Sequence, residues 1–148
     1  MTELKLICTK YKDKSLTQLV KLLFHGAKAV PPANIYESET GLDTRFSRDG
    51  AYGQGIYFAD NADYSHTYAW VEQQADGKQV YCLFVAFVLV GEACILDNGD
   101  RSLRLPPLKD PNRSQIDRYD CVMSPRAGHT IIYTNSHQYP AYLIRYTV

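Results

Sequence analysis

The sequence has no surplus of charge of either sign: 16 Lys and Arg stand against 16 Asp and Glu in 148 residues, a formal net charge of zero. A nucleic-acid or membrane surface normally leaves a basic excess, so electrostatics gives no reason to expect either. There is no long apolar run. The longest uncharged stretch, Val80 to Gly91, falls short of the ~20 residues a membrane-spanning helix needs and reads as a buried strand. Met1-Thr-Glu-Leu-Lys carries charge where a secretory signal needs apolar residues, so the expected compartment is intracellular, cytoplasmic or nuclear. Cysteine is sparse: Cys8, Cys82, Cys94 and Cys121 are widely spaced, with no Cys-x-x-Cys pair. That speaks against a zinc site and a disulfide framework. The cysteines read as small buried apolar residues, and no metal is expected.

Tyrosine, in contrast, is plentiful, at 12 residues. Each offers an aromatic face with a polar tip, suited to stacking a ring and orienting a sugar. The length suits one domain, taken as 1–148 and expected as a monomer. Leu4 to Cys8 reads as an edge strand. Ser15 reads as a helix N-cap, followed by Leu16, Leu19, Val20 and Leu23 at helical spacing. Pro31, Pro32 and many polar residues between Gly26 and Gly55 predict a loop of the size that usually binds something. Ile56 to Phe58 predicts a short strand, Asp60 a cap for a helix running to about Ala69, and Val71 to Lys78 a polar turn. Val80 to Val90 predicts a central strand buried on both faces. Leu96 to Asp117, with Pro106, Pro107 and Pro111, predicts a surface excursion. Strands follow at Tyr119 to Met123, His129 to Tyr133 and Tyr142 to Tyr146. Few helices, many strands and no βαβ alternation predict an α+β fold.

Three clusters could carry chemistry. Leu23-Phe24-His25-Gly26 places an imidazole at the end of an apolar strand, beside a glycine that lets a ligand approach the backbone. Gly53-Gln54-Gly55-Ile56-Tyr57-Phe58-Ala59 leads into Tyr64-Ser65-His66-Thr67-Tyr68, where a helix would put Tyr64 and Tyr68 on one face. The glycine pair precedes a strand instead of joining strand to helix, so it is not a dinucleotide fingerprint. The third cluster runs from Gly128-His129-Thr130-Ile131-Ile132-Tyr133 to Tyr139-Pro140-Ala141-Tyr142-Leu143-Ile144.

With Gly91-Glu92 and Tyr119-Asp120-Cys121-Val122 between them, these motifs resemble, in order and spacing, the catalytic domain of the poly(ADP-ribose) polymerase family, and within it the mono-ADP-ribosylating members. The resemblance covers Leu22 to Tyr146. It implies two small, roughly perpendicular antiparallel or mixed sheets around a cleft for NAD, which serves as substrate. It further implies that His25 hydrogen-bonds the adenosine-side ribose. The Gly26 backbone and the Ser65 hydroxyl would hold the nicotinamide carboxamide, with Tyr57 and Tyr68 sandwiching the ring. Asn34 to Gly50 would be the donor loop, and Arg45 would meet the phosphates, although no motif position fixes it. Nicotinamide leaves as ribose becomes oxocarbenium-like, so two tyrosine faces and a fixed carboxamide suit the chemistry.

The sequence departs from the polymerising pattern where those members carry a glutamate, because gap-free counting from Tyr142 puts His129 there. Chain extension is therefore not expected, and a single transfer to a protein or nucleic-acid acceptor is. His129 would be catalytic alongside His25 and Tyr57, as hydrogen-bond acceptor or base, or would merely fill space; a one-residue slip would present Thr130 instead. Rival readings are an NAD glycohydrolase with His129 as the base, and an inactive domain that binds NAD or ADP-ribose. Glu92 reads as structural, and no partner is assigned to His66 or His137. The long amino-terminal helical segment that gates polymerising relatives is not seen, so a site open to NAD is expected.

Overall fold

Hydrogen bonding to one long apolar strand organises the molecule, whose residues 10–47 and 49–148 are described by a computed structural model. The strand expected over Leu4 to Cys8 lies outside the described residues. The elements are α1 (Leu16–Leu19), β1 (Val20–His25), α2 (Pro32–Tyr36), β2 (Ile56–Ala59), α3 (Ala62–His66), β3 (Trp70–Gln73), β4 (Gln79–Leu89), β5 (Ala93–Ile95), β6 (Cys121–Ser124), β7 (His129–Ile132) and β8 (Gln138–Tyr146). Thr44–Phe46 and Asn135–His137 form 3-10 turns. Among the described residues no helix is long and apolar enough to cross a membrane.

The eight strands found among the described residues form one mixed sheet, in which β5 and β6 are the pair that runs parallel. β8 pairs along β4 from Val88 back to Tyr81. β3 takes the first part of β4, Gln79 to Cys82, and β1 takes the second, Phe84 to Leu89. A second group follows in the order β2, β7, β6, β5. Among the described residues the strands of the two groups pair at a single register position, Phe24 opposite Ala59 between β1 and β2. The expected α+β fold is present, and its two sheets are two strand groups fused at this seam.

The core explains the fusion. Leu23, Phe84, Ala86 and Val88 from the first group pack with Ile56, Phe58, Cys121 and Ile132 from the second, closed by Ile35 and Leu42 of the long loop. Side chains such as Phe58 and Ile132, at 1% and 0% exposure, each cost ~2–5 kcal/mol to truncate to alanine at such a site. Tyr52, Val122, Ile131 and Tyr133 form a smaller cluster with Tyr57, Cys94 and Leu96. Cys82 and Cys121 are buried, Cys94 is half-buried, and all three are free thiols.

Several boundaries differ from the sequence expectation. The helix after Ser15 stops at Leu19, and Val20, already extended at φ −124° and ψ 133°, opens β1. Four helical residues gain little by themselves, whereas Val20 to His25 make six register pairs with β4. Asn61, not Asp60, caps α3: its side chain accepts from the Tyr64 N–H at 3.3 Å. The segment read as a polar turn starts as β3, and the turn itself covers Gln74 to Lys78, closed by a 2.9 Å backbone bond with Gly77 at φ +81°. The loop from Gly26 to Gly55 contains α2 and the first 3-10 turn. Leu96 to Asp117 contains no strand, only a bridge from Leu108 to Arg118.

Candidate active site

The seam between the strand groups gathers the chemistry. β1 ends on His25, whose Nδ1 lies 2.7 Å from the Tyr57 carbonyl. A carbonyl only accepts, so Nδ1 carries the proton and Nε2 is left as an acceptor. Burial pushes the His25 pKa down, and its ring packs on Phe58 at 5.5 Å. The result is a neutral imidazole of fixed tautomer, able to receive a hydroxyl hydrogen bond.

Gly26 follows at the point where the chain passes the end of α3. A Cβ there would stand 2.5 Å from the Tyr68 carbonyl oxygen and 2.6 Å from that of Ser65, so only glycine allows this approach. The Tyr68 N–H donates to the Ser65 carbonyl at 3.0 Å, tightening the turn that follows α3. Ser65 is buried at 3% exposure, and its hydroxyl bonds no described residue. Gly26, Ser65 and Tyr68 are thus brought together at this turn.

Tyr57 projects from β2. Its hydroxyl donates to the Gly53 carbonyl at 2.7 Å and accepts the Tyr52 N–H at 2.9 Å. A Cβ at Gly50 would stand 2.6 Å from that ring. Partial burial raises the phenol pKa, so the ring is neutral and pinned at its tip. The Tyr57 and Tyr68 rings make no contact with each other.

Register decides what stands at the departing position. Directly opposed residues of an antiparallel pair share a face. Ala59 opposes His129, and His129 opposes Ser124 across β6, so His129 shares the face of Tyr57 while Thr130 faces away with Phe58. The slip that would present Thr130 does not occur. Burial lowers the His129 pKa, and Asp60 pulls weakly the other way. His129 Nε2 and Ser124 Oγ are sealed from solvent with no partner among the described residues. Tyr64, which the sequence puts on one helix face with Tyr68, covers the imidazole with ring centroids 4.1 Å apart.

The long loop is held by residues the sequence reading passed over. Gln138, nearly buried, donates through Nε2 to the carbonyls of Thr40, Leu42 and Asn135, and its Oε1 accepts the Leu42 N–H. Asn135 Oδ1 accepts the Thr44 N–H at 2.8 Å. Arg45 folds back on Asp43 at 2.6 Å and holds that carboxyl down to about 2. It lines a separate cavity of about 220 Å³ with Thr44, Gln54, Arg104 and Tyr133, which none of the other six expected site residues lines.

Glu92, read from the sequence as structural, stands in a polar network. It pairs with Lys109 at 2.6 Å, and its N–H donates to Asp120, which also takes the Tyr11 hydroxyl. A Cβ at Gly91 would meet the Asp120 carboxylate at 2.4 Å, which ties the Gly91-Glu92 and Tyr119 to Val122 motifs together. His66 has a partner after all: its Nδ1 lies 2.6 Å from the Tyr146 hydroxyl. His137 is buried in the second 3-10 turn. Among the described residues no group of three or more His, Cys, Asp or Glu is placed to hold a metal ion.

His25, the turn that joins Gly26 to Ser65 and Tyr68, Tyr57 and His129 are thus gathered around one seam. The family model of the poly(ADP-ribose) polymerase catalytic domain matches residues 3–112, and the chain belongs to this family. A probable poly(ADP-ribose) polymerase of Dictyostelium discoideum is 34% identical over 138 residues, 93% of this chain and 36% of that protein. The human protein mono-ADP-ribosyltransferase PARP12 is 34% identical over 127 residues, covering 84% of this chain and 17% of its own length. Human PARP14, also a protein mono-ADP-ribosyltransferase, is 33% identical over 126 residues, covering 82% and 6%. The chain therefore spans about a third or less of these relatives.

Proposed function

We propose that this domain binds NAD and transfers a single ADP-ribose to a protein or nucleic-acid acceptor inside the cell. The observation that carries the reading is the meeting of Gly26, Ser65 and Tyr68, with the neutral His25 beside them. A carboxamide fits there because it needs a backbone donor and acceptor, a hydroxyl and a flat wall. Held so, the nicotinamide is fixed in rotation and its ribose bond points toward the His129 side. The bond from ribose C1′ to the ring nitrogen breaks with its electron pair going to nicotinamide, which leaves neutral. The acceptor heteroatom bonds to C1′ and gives up its proton. Aromatic faces against the cationic ring contribute ~0.5–2 kcal/mol each, and positioning supplies much of the rest.

Position 129 carries no carboxylate to activate a second ribose hydroxyl, and two of the relatives are named mono-ADP-ribosyltransferases. Both favour one unit per acceptor site. Incubation with labelled NAD followed by mass spectrometry tests the reading: mass increments of one ADP-ribose per site are expected. Polymer on a gel overturns single transfer, and untouched NAD overturns catalysis. His129 favours a second reading, hydrolysis, since a neutral imidazole also accepts a proton from water; its mark is free ADP-ribose as the main product. His129→Ala is expected to lower turnover ~10²-fold if the imidazole acts as acceptor or base, and an unchanged rate would make it a filler.

A further inference from the structure

Tyr64 stands between the two halves of the site. Its ring centroid lies 4.1 Å from that of His129, tilted by 52°, and 5.4 Å from that of Tyr68, tilted by 44°. One side of Tyr64 remains in solvent, at 38% exposure. α3 fixes this placement: Asn61 caps the Tyr64 N–H, and the Thr67 hydroxyl and N–H both bond the Tyr64 carbonyl, at 2.8 and 3.2 Å. Beneath the ring, His129 Nε2 is shut off from water.

We propose that Tyr64 is a positioning residue that covers His129, braces it against Tyr68 and keeps bulk water from the acceptor side, so that the ribose is taken by a macromolecular acceptor and not by water. The proposal rests on the NAD-dependent transfer reading above. In both outcomes the C1′ to nicotinamide bond breaks with its electrons leaving on nicotinamide. In transfer, the acceptor heteroatom bonds C1′ and loses its proton. In hydrolysis, a water oxygen bonds C1′, a proton is released and free ADP-ribose forms. A flat apolar cover disfavours the second route because it removes the water layer in contact with the imidazole.

The ring matters more than the phenol. The Tyr64 hydroxyl reaches the Tyr68 hydroxyl only at 3.5 Å, a length that contributes little, so phenylalanine preserves the function. The groups facing His129 are the Asp60 carboxylate from the end of β2, the Ser124 hydroxyl from β6 and the Tyr64 phenol, itself pushed up to about 12 chiefly by burial. The carboxylate favours the imidazolium and the aromatic cover opposes it, so removing the cover lets His129 titrate closer to its ordinary value.

The test incubates the domain with labelled NAD, the protein serving as its own acceptor, and measures free against protein-bound ADP-ribose. Tyr64→Ala is expected to raise that ratio about 2- to 10-fold, the range of one lost aromatic contact, while Tyr64→Phe keeps the wild-type ratio. NMR titration of the His129 imidazole, which needs no turnover, is expected to show its midpoint rising in Tyr64→Ala and holding in Tyr64→Phe. Tyr68→Ala is expected to weaken NAD binding more than Tyr64→Ala does. An unchanged ratio or midpoint in Tyr64→Ala, equal shifts in both Tyr64 variants, or the reverse order of binding overturns the proposal. Wild-type protein that consumes no NAD overturns the functional reading itself.

Discussion

His25 shows how one residue ties the site to stability. Its ring is held neutral by burial, below its ordinary pKa, while in the unfolded chain it titrates near ~6.5. The unfolded state therefore takes up a proton first as pH falls, so folding stability is full above ~6.5 and declines as pH drops below it. His129 acts in the same direction. Denaturant midpoints measured from pH 7.5 to 5.5 are expected to fall, and to fall less steeply in His25→Gln. An equal slope in that variant would mean that His25 is not held neutral. Residues that carry motifs, such as His25, Gly26, Ser65 and Tyr68, were legible in the sequence because each sits in a short fixed pattern. Gln138 and Ser124 were not. What they do depends on partners that chain folding alone brings near, such as Leu42, 96 positions from Gln138.

At the scale of elements, legibility followed length and pairing. β4 was read nearly whole because a strand of 11 residues, six of them β-branched or aromatic, leaves few alternatives. α1 was overextended, since Leu23 at helical spacing from Leu16 serves equally as a core residue of a strand. β3 and β5, of four and three residues, exist through their neighbours and leave almost no local pattern. The segment from Asn34 to Gly50 was read as a loop, but its anchor, Gln138, is the first residue of β8. Gln138→Ala removes the amide that satisfies Thr40, Leu42 and Asn135. Leaving such groups unpaired costs ~1–3 kcal/mol, spent mostly on the segment from Thr40 to Thr44. Proteolysis within that segment is expected to quicken, and NAD binding to weaken, with the sheet intact by circular dichroism. Unchanged cleavage would show that the loop is held by other contacts.

For the whole molecule, the seam has a mechanical consequence. Two strand groups share one register pair at Phe24 and Ala59, and the residues assigned to nicotinamide come from both: Gly26 follows β1, while Tyr57 lies on β2. A ligand gripped by both should brace the junction, so binding adds to global stability. A benzamide-type carboxamide at one hundred times its dissociation constant is expected to add ~2.7 kcal/mol, a rise of roughly 5–10 °C in melting temperature for a domain of this size. Gly26→Ala is the matching control. Its Cβ would press into the Ser65 and Tyr68 carbonyls, which forces the turn after α3 away from β1 and opens the proposed carboxamide site without touching the core. That variant is expected to unfold cooperatively at a lower temperature and to show no rise with ligand. A rise equal to that of the wild type would place the ligand away from the Gly26 turn, and no rise in the wild type would remove the nicotinamide assignment.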